Sequence, residues 1–230
     1  MKKSRFINLI LIIILFAGLS LLLYPTVSDH WNSLHQSRAI SSYAEYVSAM
    51  DEELCEQIWN AAMAYNRDLL KRSNRYVLDE NQVAEYERQL NISGNGIMGY
   101  VEIPSINCKM PVYHGTAESV LQVAAGHVEW SSLPVGGTNS HCVISGHRGL
   151  PSARLFTDLD KLKTGDVFLL HILNRTLTYE VDQVLIVVPQ EIDALQIEEE
   201  QDYCTLVTCT PYAKNTHRLL VRGCRREQEK

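Results

Sequence analysis

Residues 205–223 read TLVTCTPYAKNTHRLLVRG. Two apolar, β-prone runs, one from Thr205 to Cys209 and one from His217 to Gly223, flank a loop from Thr210 to Thr216. The loop opens on Thr210-Pro211-Tyr212, a turn signal. With so short a connection the two strands run antiparallel as neighbours. Cys209 closes the first strand and Arg218 opens the second, so the pairing brings a thiol and a guanidinium together at one end of a sheet. A strand end beside a loop is where a rigid scaffold presents reactive groups. Upstream, HCVIS at residues 141–145 is a further strand, broken by Gly146-His147-Arg148-Gly149. The glycines let the backbone turn sharply and leave room around the imidazole. A thiol, an imidazole and a guanidinium at three strand ends permit acyl transfer. The thiol attacks a carbonyl, the imidazole moves the proton, and the cation stabilises the oxyanion.

The rest of the chain supplies the scaffold. Gly and Pro divide it: none occurs from Val27 to Ser93, whereas eleven Gly and six Pro follow from Gly94 onward. The first stretch reads as helix and the second as β structure. Tyr43, Tyr46, Val47 and Met50 recur at helical spacing, as do Leu54, Ile58, Ala62, Tyr65 and Leu69. A break near 49–51, a polar interruption at 71–75 and a short helix over 80–90 complete this part. Strands are expected over 97–103, 108–113, 141–145, 167–173, 176–188, 203–209 and 217–223, with one helix at 117–125 among them. That series of short strands implies a mainly β domain, closed as a barrel or stacked as a sandwich.

The N-terminus is different again. Lys2, Lys3 and Arg5 precede an uncharged run, FINLILIIILFAGLSLLLY at residues 6–24. Its length suffices for most of a bilayer's apolar core, and the positive flank belongs on the cytoplasmic side. Residues 1–5 then form a cytoplasmic tail, 6–24 a membrane anchor and the remainder an extracellular part. Cleavage as a signal peptide is the competing reading, but no clear small-residue cleavage site follows. The chain has 21 Lys+Arg against 27 Asp+Glu, a net charge of −6, which excludes general nucleic-acid binding. With 46% hydrophobic residues it is too apolar to be disordered. Six irregularly spaced Cys do not make a disulfide-dense miniprotein. Cys204 and Cys209 share a strand but point to opposite faces. A bridge among the others, such as Cys108–Cys142, stays open. His141, Cys142, His147 and Cys209 lack the spacing of a closed metal site, so neither metal nor cofactor is expected.

TLVTCTPYAKNTHRLLVRG, with VISGHRG at 143–149, resembles the signature of sortases, the cysteine transpeptidases of Gram-positive bacteria. LPVGG at 133–137 and GHRGLPSARLFTDLDKLKTGD at 146–166 are similar to class C, the pilin-polymerising sortases. The resemblance covers 94–225 and implies an eight-stranded β-barrel preceded by N-terminal helices and one transmembrane helix. It implies Cys209 as nucleophile, His147 as general acid/base and Arg218 as substrate and oxyanion partner. The substrate would be a surface protein or pilin carrying an LPXTG-type sorting signal, cleaved between Thr and Gly. The acceptor would be an amine, from a pilin Lys or from a peptidoglycan precursor. Substrate contacts would come from Thr208 and Thr210 beside the nucleophile and from Ile192 and Leu195 in the loop before it.

The chain departs from the class C pattern twice. The lid segment, 70–81, reads LKRSNRYVLDEN without the Asp-Pro-aromatic plug, leaving Tyr76 as the candidate substitute. The chain ends in a polar tail, 226–230, which cannot span a membrane. Water resolving the thioester would make a hydrolytic cysteine peptidase instead, and a non-catalytic surface assembly module would not require all three residues. His114 and His217 read as strand-end hydrogen-bonding residues, and Asp158 and Asp160 as turn residues within reach of His147. Six acids and no Lys or Arg lie between Glu191 and Asp202, a candidate attractor for a Lys-bearing acceptor.

Overall fold

The computed structural model describes residues 2–150 and 153–226, with side chains from residue 6 onward. Pro151 and Ser152 of the 146–166 motif, Met1 of the N-terminal tail and residues 227–230 of the polar tail lie outside the described residues. Three helices precede the sheet: α1, Lys2–Ala49; α2, Glu52–Leu69; and α3, Glu80–Arg88. The break between α1 and α2 is a cap: the Asp51 carboxylate accepts from Leu54 N. Asp79 and Gln82 form a capping box at α3. The apolar run occupies the first half of α1, which is long and apolar enough to cross a membrane.

Eight strands follow: β1, Ile97–Ile103; β2, Cys108–His114; β3, Ala125–His127; β4, Ser140–Ser145; β5, Val167–Ile172; β6, Arg175–Val187; β7, Asp202–Thr210; and β8, His217–Arg226. They close a barrel in the order β1-β2-β3-β4-β7-β8-β6-β5. The fold is therefore the mainly β, eight-stranded barrel that the sequence implies. One element differs. The helix expected over 117–125 shrinks to α4, Glu118–Leu121, and residues 125–127 join the sheet as β3, parallel to β2. Gly126 explains it: a Cβ there would lie 2.2 Å from the Gly115 carbonyl oxygen, so only glycine lets the backbones meet.

The helices complete the core rather than hang from it. Trp59, Ala62 and Tyr65 of α2 and Tyr86 of α3 are buried in the same cluster as Met98, Ile144 and Leu206 of the barrel. Asn66 of α2 makes a two-way bond with Leu133, donating to its carbonyl at 3.2 Å and accepting from its N–H at 2.7 Å. The Tyr43 hydroxyl of α1, fully buried, donates to Met98 O (3.0 Å) and accepts from Leu173 N (2.8 Å). It bonds two backbone groups, one on β1 and one just past β5. Tyr43→Phe leaves both unpaired and should cost about 1–3 kcal/mol of stability. Urea unfolding of the detergent-solubilised full chain measures it, and an unchanged midpoint would contradict the assignment.

Candidate active site

Two ladders place the chemistry. β7 and β8 pair antiparallel with Cys209 opposite Arg218 and Val207 opposite Leu220. β4 and β7 pair parallel, with Val143 opposite Thr205 and Ser145 opposite Val207. Alternation along the strands then sorts the side chains. Cys142, Ile144, Cys204 and Leu206 belong to the barrel interior. Val143, Val207 and Leu220 form a second cluster on the outer face, with Leu195 packed over them. A groove of about 240 Å³ runs along this face, walled by Val128, Trp130, Val143, Val207, Ile192 and Leu195, with Arg218 in its lining. Cys209, two residues beyond Val207, continues the same face.

His147 reaches this end because the β4 exit is tied to β7. Gly146 N donates to Val207 O (3.0 Å), and the Thr208 hydroxyl donates back to Gly146 O (2.7 Å). Arg148 donates to the Thr210 hydroxyl (3.3 Å) and forms an ion pair with Asp160. The glycines flanking His147 have reasons the sequence does not expose. A Cβ at Gly146 would meet the Phe156 ring at 2.6 Å. Gly149 has φ +75°, and its Cβ would meet the Tyr212 ring at 2.5 Å. The imidazole Nε2 lies 3.4 Å from the Glu118 carboxylate at the start of α4. Hydrogen bonds from Gln122 and then His147 hold the Glu118 carboxyl below its ordinary value. Arg218 donates to Asn215 O (3.3 Å) and His217 O (3.2 Å), which fixes one end of its fork. Among the described residues no hydrogen bond joins Cys209 to His147. Such bonds commonly tighten only with substrate bound.

The other sequence candidates separate. Ile192 and Leu195 line the groove. Thr208 and Thr210 do not: they are 1% and 7% exposed, and both hydroxyls are engaged at the β4 exit. Tyr76 sits against the groove's wall. Its ring meets Trp130 edge-on at 5.3 Å, and its hydroxyl donates to the Gln196 side chain at 2.8 Å. Arg75 donates to the same Gln196 oxygen. His114 is held between Gly96 O and Gln89 O, and His217 contacts Thr216. Asp158 pairs with Arg154 and Lys161. In the acidic segment, Asp202 is committed to Tyr179 and Gly137, and Glu198 to Arg222. Among the described residues no three His, Cys, Asp or Glu side chains form a metal-holding group. Glu118, Trp130 and Arg148 were not foreseen as site residues. Arg148 sits inside the quoted motif, but its partner Thr210 is brought near only by the parallel ladder.

His141 anchors the groove's rim. Its Nδ1 faces Gln196 O at 2.7 Å and its Nε2 faces the Thr205 hydroxyl at 2.7 Å. A carbonyl only accepts, so Nδ1 carries a proton. Burial, with the Arg222 and Arg75 charges adding to it and the Gln196 carbonyl opposing it, pushes the imidazole down to about 4.

A closed barrel presenting a strand-end cysteine, with histidine and arginine at the same end of an apolar groove, defines a class: a cysteine-dependent acyl-transfer enzyme. A family model, Sortase domain, matches residues 101–226. The chain belongs to the sortase family. It is similar to sortase C1 of Streptococcus agalactiae, with 51% identity, a TM-score of 0.81, and coverage of 84% of this chain and 100% of that one. It is similar to sortase C of Streptococcus pneumoniae, with 45% identity, a TM-score of 0.72, and coverage of 83% and 97%. Sortase D of Bacillus subtilis is 30% identical over 115 residues, 50% of this chain and 55% of that protein. The chain thus spans about half the length of that curated relative.

Two predictions follow from this geometry. Thr208→Val keeps the shape but strands the buried Gly146 carbonyl and frees the turn bearing His147. It should slow acyl-enzyme formation about tenfold or more, read by quenched-flow mass spectrometry against an unchanged far-UV spectrum. The second concerns acid. An unfolded His141 binds a proton near pH 6.5, whereas the folded one resists until about 4. Its contribution is complete above pH 6.5 and is lost as pH falls toward 4, a swing on the order of 3 kcal/mol. His141→Gln should flatten that window relative to wild type in urea unfolding at pH 7 and pH 5. Parallel pH dependences would contradict it.

Proposed function

We propose that this chain is a membrane-anchored, extracellular sortase of the pilin-polymerising kind. Cys209 attacks the carbonyl of the Thr–Gly bond in an LPXTG-type signal, and a C–S bond forms as the amide breaks. His147 gives the leaving amine its proton. A Lys amine of the next subunit then attacks the thioester, losing a proton to His147 and restoring the thiol. Arg218 holds the substrate carbonyl and its oxyanion. The observation that carries this reading is the register of β7 and β8, which sets Cys209 opposite Arg218 at the end of an apolar groove. Ile192 and Leu195 would contact the apolar part of the signal. Thr208 and Thr210 would act at one remove, by fixing the β4 exit, and Tyr76 would brace the groove's outer wall. The pneumococcal relative has pilin substrate specificity, which supports the pilin acceptor over a wall amine.

The anchor reading rests on the apolar run in α1, with residues 1–5 cytoplasmic and the barrel outside. Asp29, just past that run, accepts from Arg154 N at 2.7 Å. Tyr212, three residues after Cys209, borders a cavity with Pro25 and Thr26. Both contacts support a site working close to the membrane surface.

The test is intact mass of the solubilised full chain with an LPXTG-type peptide. An adduct on Cys209, released faster by a Lys-bearing pilin peptide than by a glycine amine or water, is expected. Faster release by glycine would redirect the reading to wall anchoring, and release by water alone to a hydrolase. Cys209→Ala should form no adduct while remaining folded. Arg218→Lys, a point charge in place of a fork, should lose about 10²-fold or more in acylation rate.

A further inference from the structure

The proposed mechanism uses one cysteine and leaves five. Two of these are neighbours. Cys142 on β4 and Cys204 on β7 are partners in the parallel ladder, and both are buried in the barrel interior. In-register partners point to the same side of a sheet, and adjacent strands lie about 4.8 Å apart. A disulfide spans Cα atoms roughly 4.4–6.8 Å apart. The other cysteines are placed differently. The Cys108 thiol turns to Leu155 O at 3.8 Å, Cys55 is on α2, Cys224 pairs with Tyr203 on the β8 edge of the ladder, and Cys209 continues the groove face.

We infer that Cys142 and Cys204 are joined by a disulfide in the exported protein, a covalent tie between the two strands that carry His147 and Cys209. Each lies five residues before the proposed catalytic residue at the end of its own strand. The tie therefore fixes the register of β4 on β7 from within the barrel, while Thr208 and Arg148 fix it at the exit. It also removes from exchange the two thiols nearest in sequence to the site, leaving Cys209 as a free thiol on the opposite face. The inference rests on the export reading above, because only an oxidising exterior keeps such a bond.

The chemistry is thiol–disulfide exchange with an extracellular oxidant that itself carries a disulfide, either a membrane-exposed oxidoreductase or a small disulfide. Take Cys142 as the attacking thiolate; Cys204 would serve equally. Cys142 displaces one sulfur of the oxidant and forms a mixed disulfide. The Cys204 thiolate then attacks the Cys142 sulfur, and the oxidant leaves with two thiols, having taken two electrons and two protons. Both residues are sealed in the finished barrel, so the exchange takes place as β7 docks on β4.

The test begins with intact cells quenched in acid and alkylated under denaturing conditions, followed by non-reducing peptide mass spectrometry of the full chain. The expected result is four alkylated cysteines and a Cys142–Cys204 linked peptide pair. Six alkylated cysteines in a chain whose barrel is cleaved by protease added outside the cells would overturn the disulfide while leaving export intact. A barrel that external protease cannot reach would overturn the export reading. In that case refolding of the purified, reduced chain with oxidised glutathione decides, and failure to form the Cys142–Cys204 link there overturns the disulfide by itself. Oxidised wild type should melt about 10 °C above its reduced form. Cys142→Ala and Cys204→Ala should each abolish that redox-dependent shift, and a shift that persisted in either would assign it to other cysteines.

Discussion

The parallel pairing of β4 with β7 is the constraint on which the site depends. Neither strand is joined to the other by a hairpin, and the chain between them builds β5, β6 and the groove rim. A slip of one residue would invert every side chain. Cys142, Ile144, Cys204 and Leu206 would leave the barrel interior, and Val143 and Val207 would leave the groove. Burial on both faces makes that slip costly. The polar bonds make the register specific: His141 to the Thr205 hydroxyl, Thr208 to Gly146 O, and Arg148 to the Thr210 hydroxyl. Each joins one strand to the other, and the last two lie within two residues of His147 or Cys209. A buried hydroxyl–carbonyl pair contributes modestly when made and costs more when broken, so these contacts serve position more than total stability.

The groove's rim is assembled by the same economy of partners. Gln196 is its junction. Its carbonyl receives the His141 proton, and its side-chain oxygen receives donors from both Arg75 and Tyr76. The segment between α2 and α3 is thus fastened to the loop between β6 and β7, and Tyr76 leans on Trp130, itself a wall of the groove. A chain without the Asp-Pro-aromatic plug still has an aromatic residue in that segment, and it packs on the groove's wall. The acidic loop is likewise less free than its composition implies. Asp202 accepts from Tyr179, and Glu198 faces Arg222, so the charge left for an incoming cation is concentrated on the remaining carboxylates.

What the sequence made legible follows contact distance along the chain. Cys209 and Arg218 could be brought near each other from a single loop length, because a connection that short suits an antiparallel pair and not a parallel one. The strands were legible where alternation and turn residues agreed. The short β3 was not, because Ala124-Ala125 extends a helix-like pattern and the reason for Gly126 is the backbone of Gly115, eleven residues away and invisible locally. Glu118 at His147 and Arg148 at Thr210 were hidden for the same reason: their partners come together only through the crossover. Thr208 and Thr210 flank Cys209 in sequence, but alternation turns the Thr208 side chain inward, and proximity in sequence is then a poor guide to the groove.

The helix α1 closes the argument, because it sets where the groove can work. Its outer half is bonded to the barrel at Asp29, at Gln36, which donates to Val123 O at 2.7 Å, and at Tyr43. Three contacts, each about two turns from the next, make it a strut, not a flexible tether. On the anchored reading, the loop that follows Cys209 then stays beside the residues at which the helix leaves the apolar layer. A substrate diffusing in bulk solvent gains nothing from that placement. A substrate held in the same membrane by its own apolar segment gains a high effective concentration at one fixed height. On that reading such a substrate needs less affinity from the groove itself. The groove's small volume and apolar walls fit such a division of labour, in which the membrane would supply encounter and the β7–β8 register would supply the chemistry.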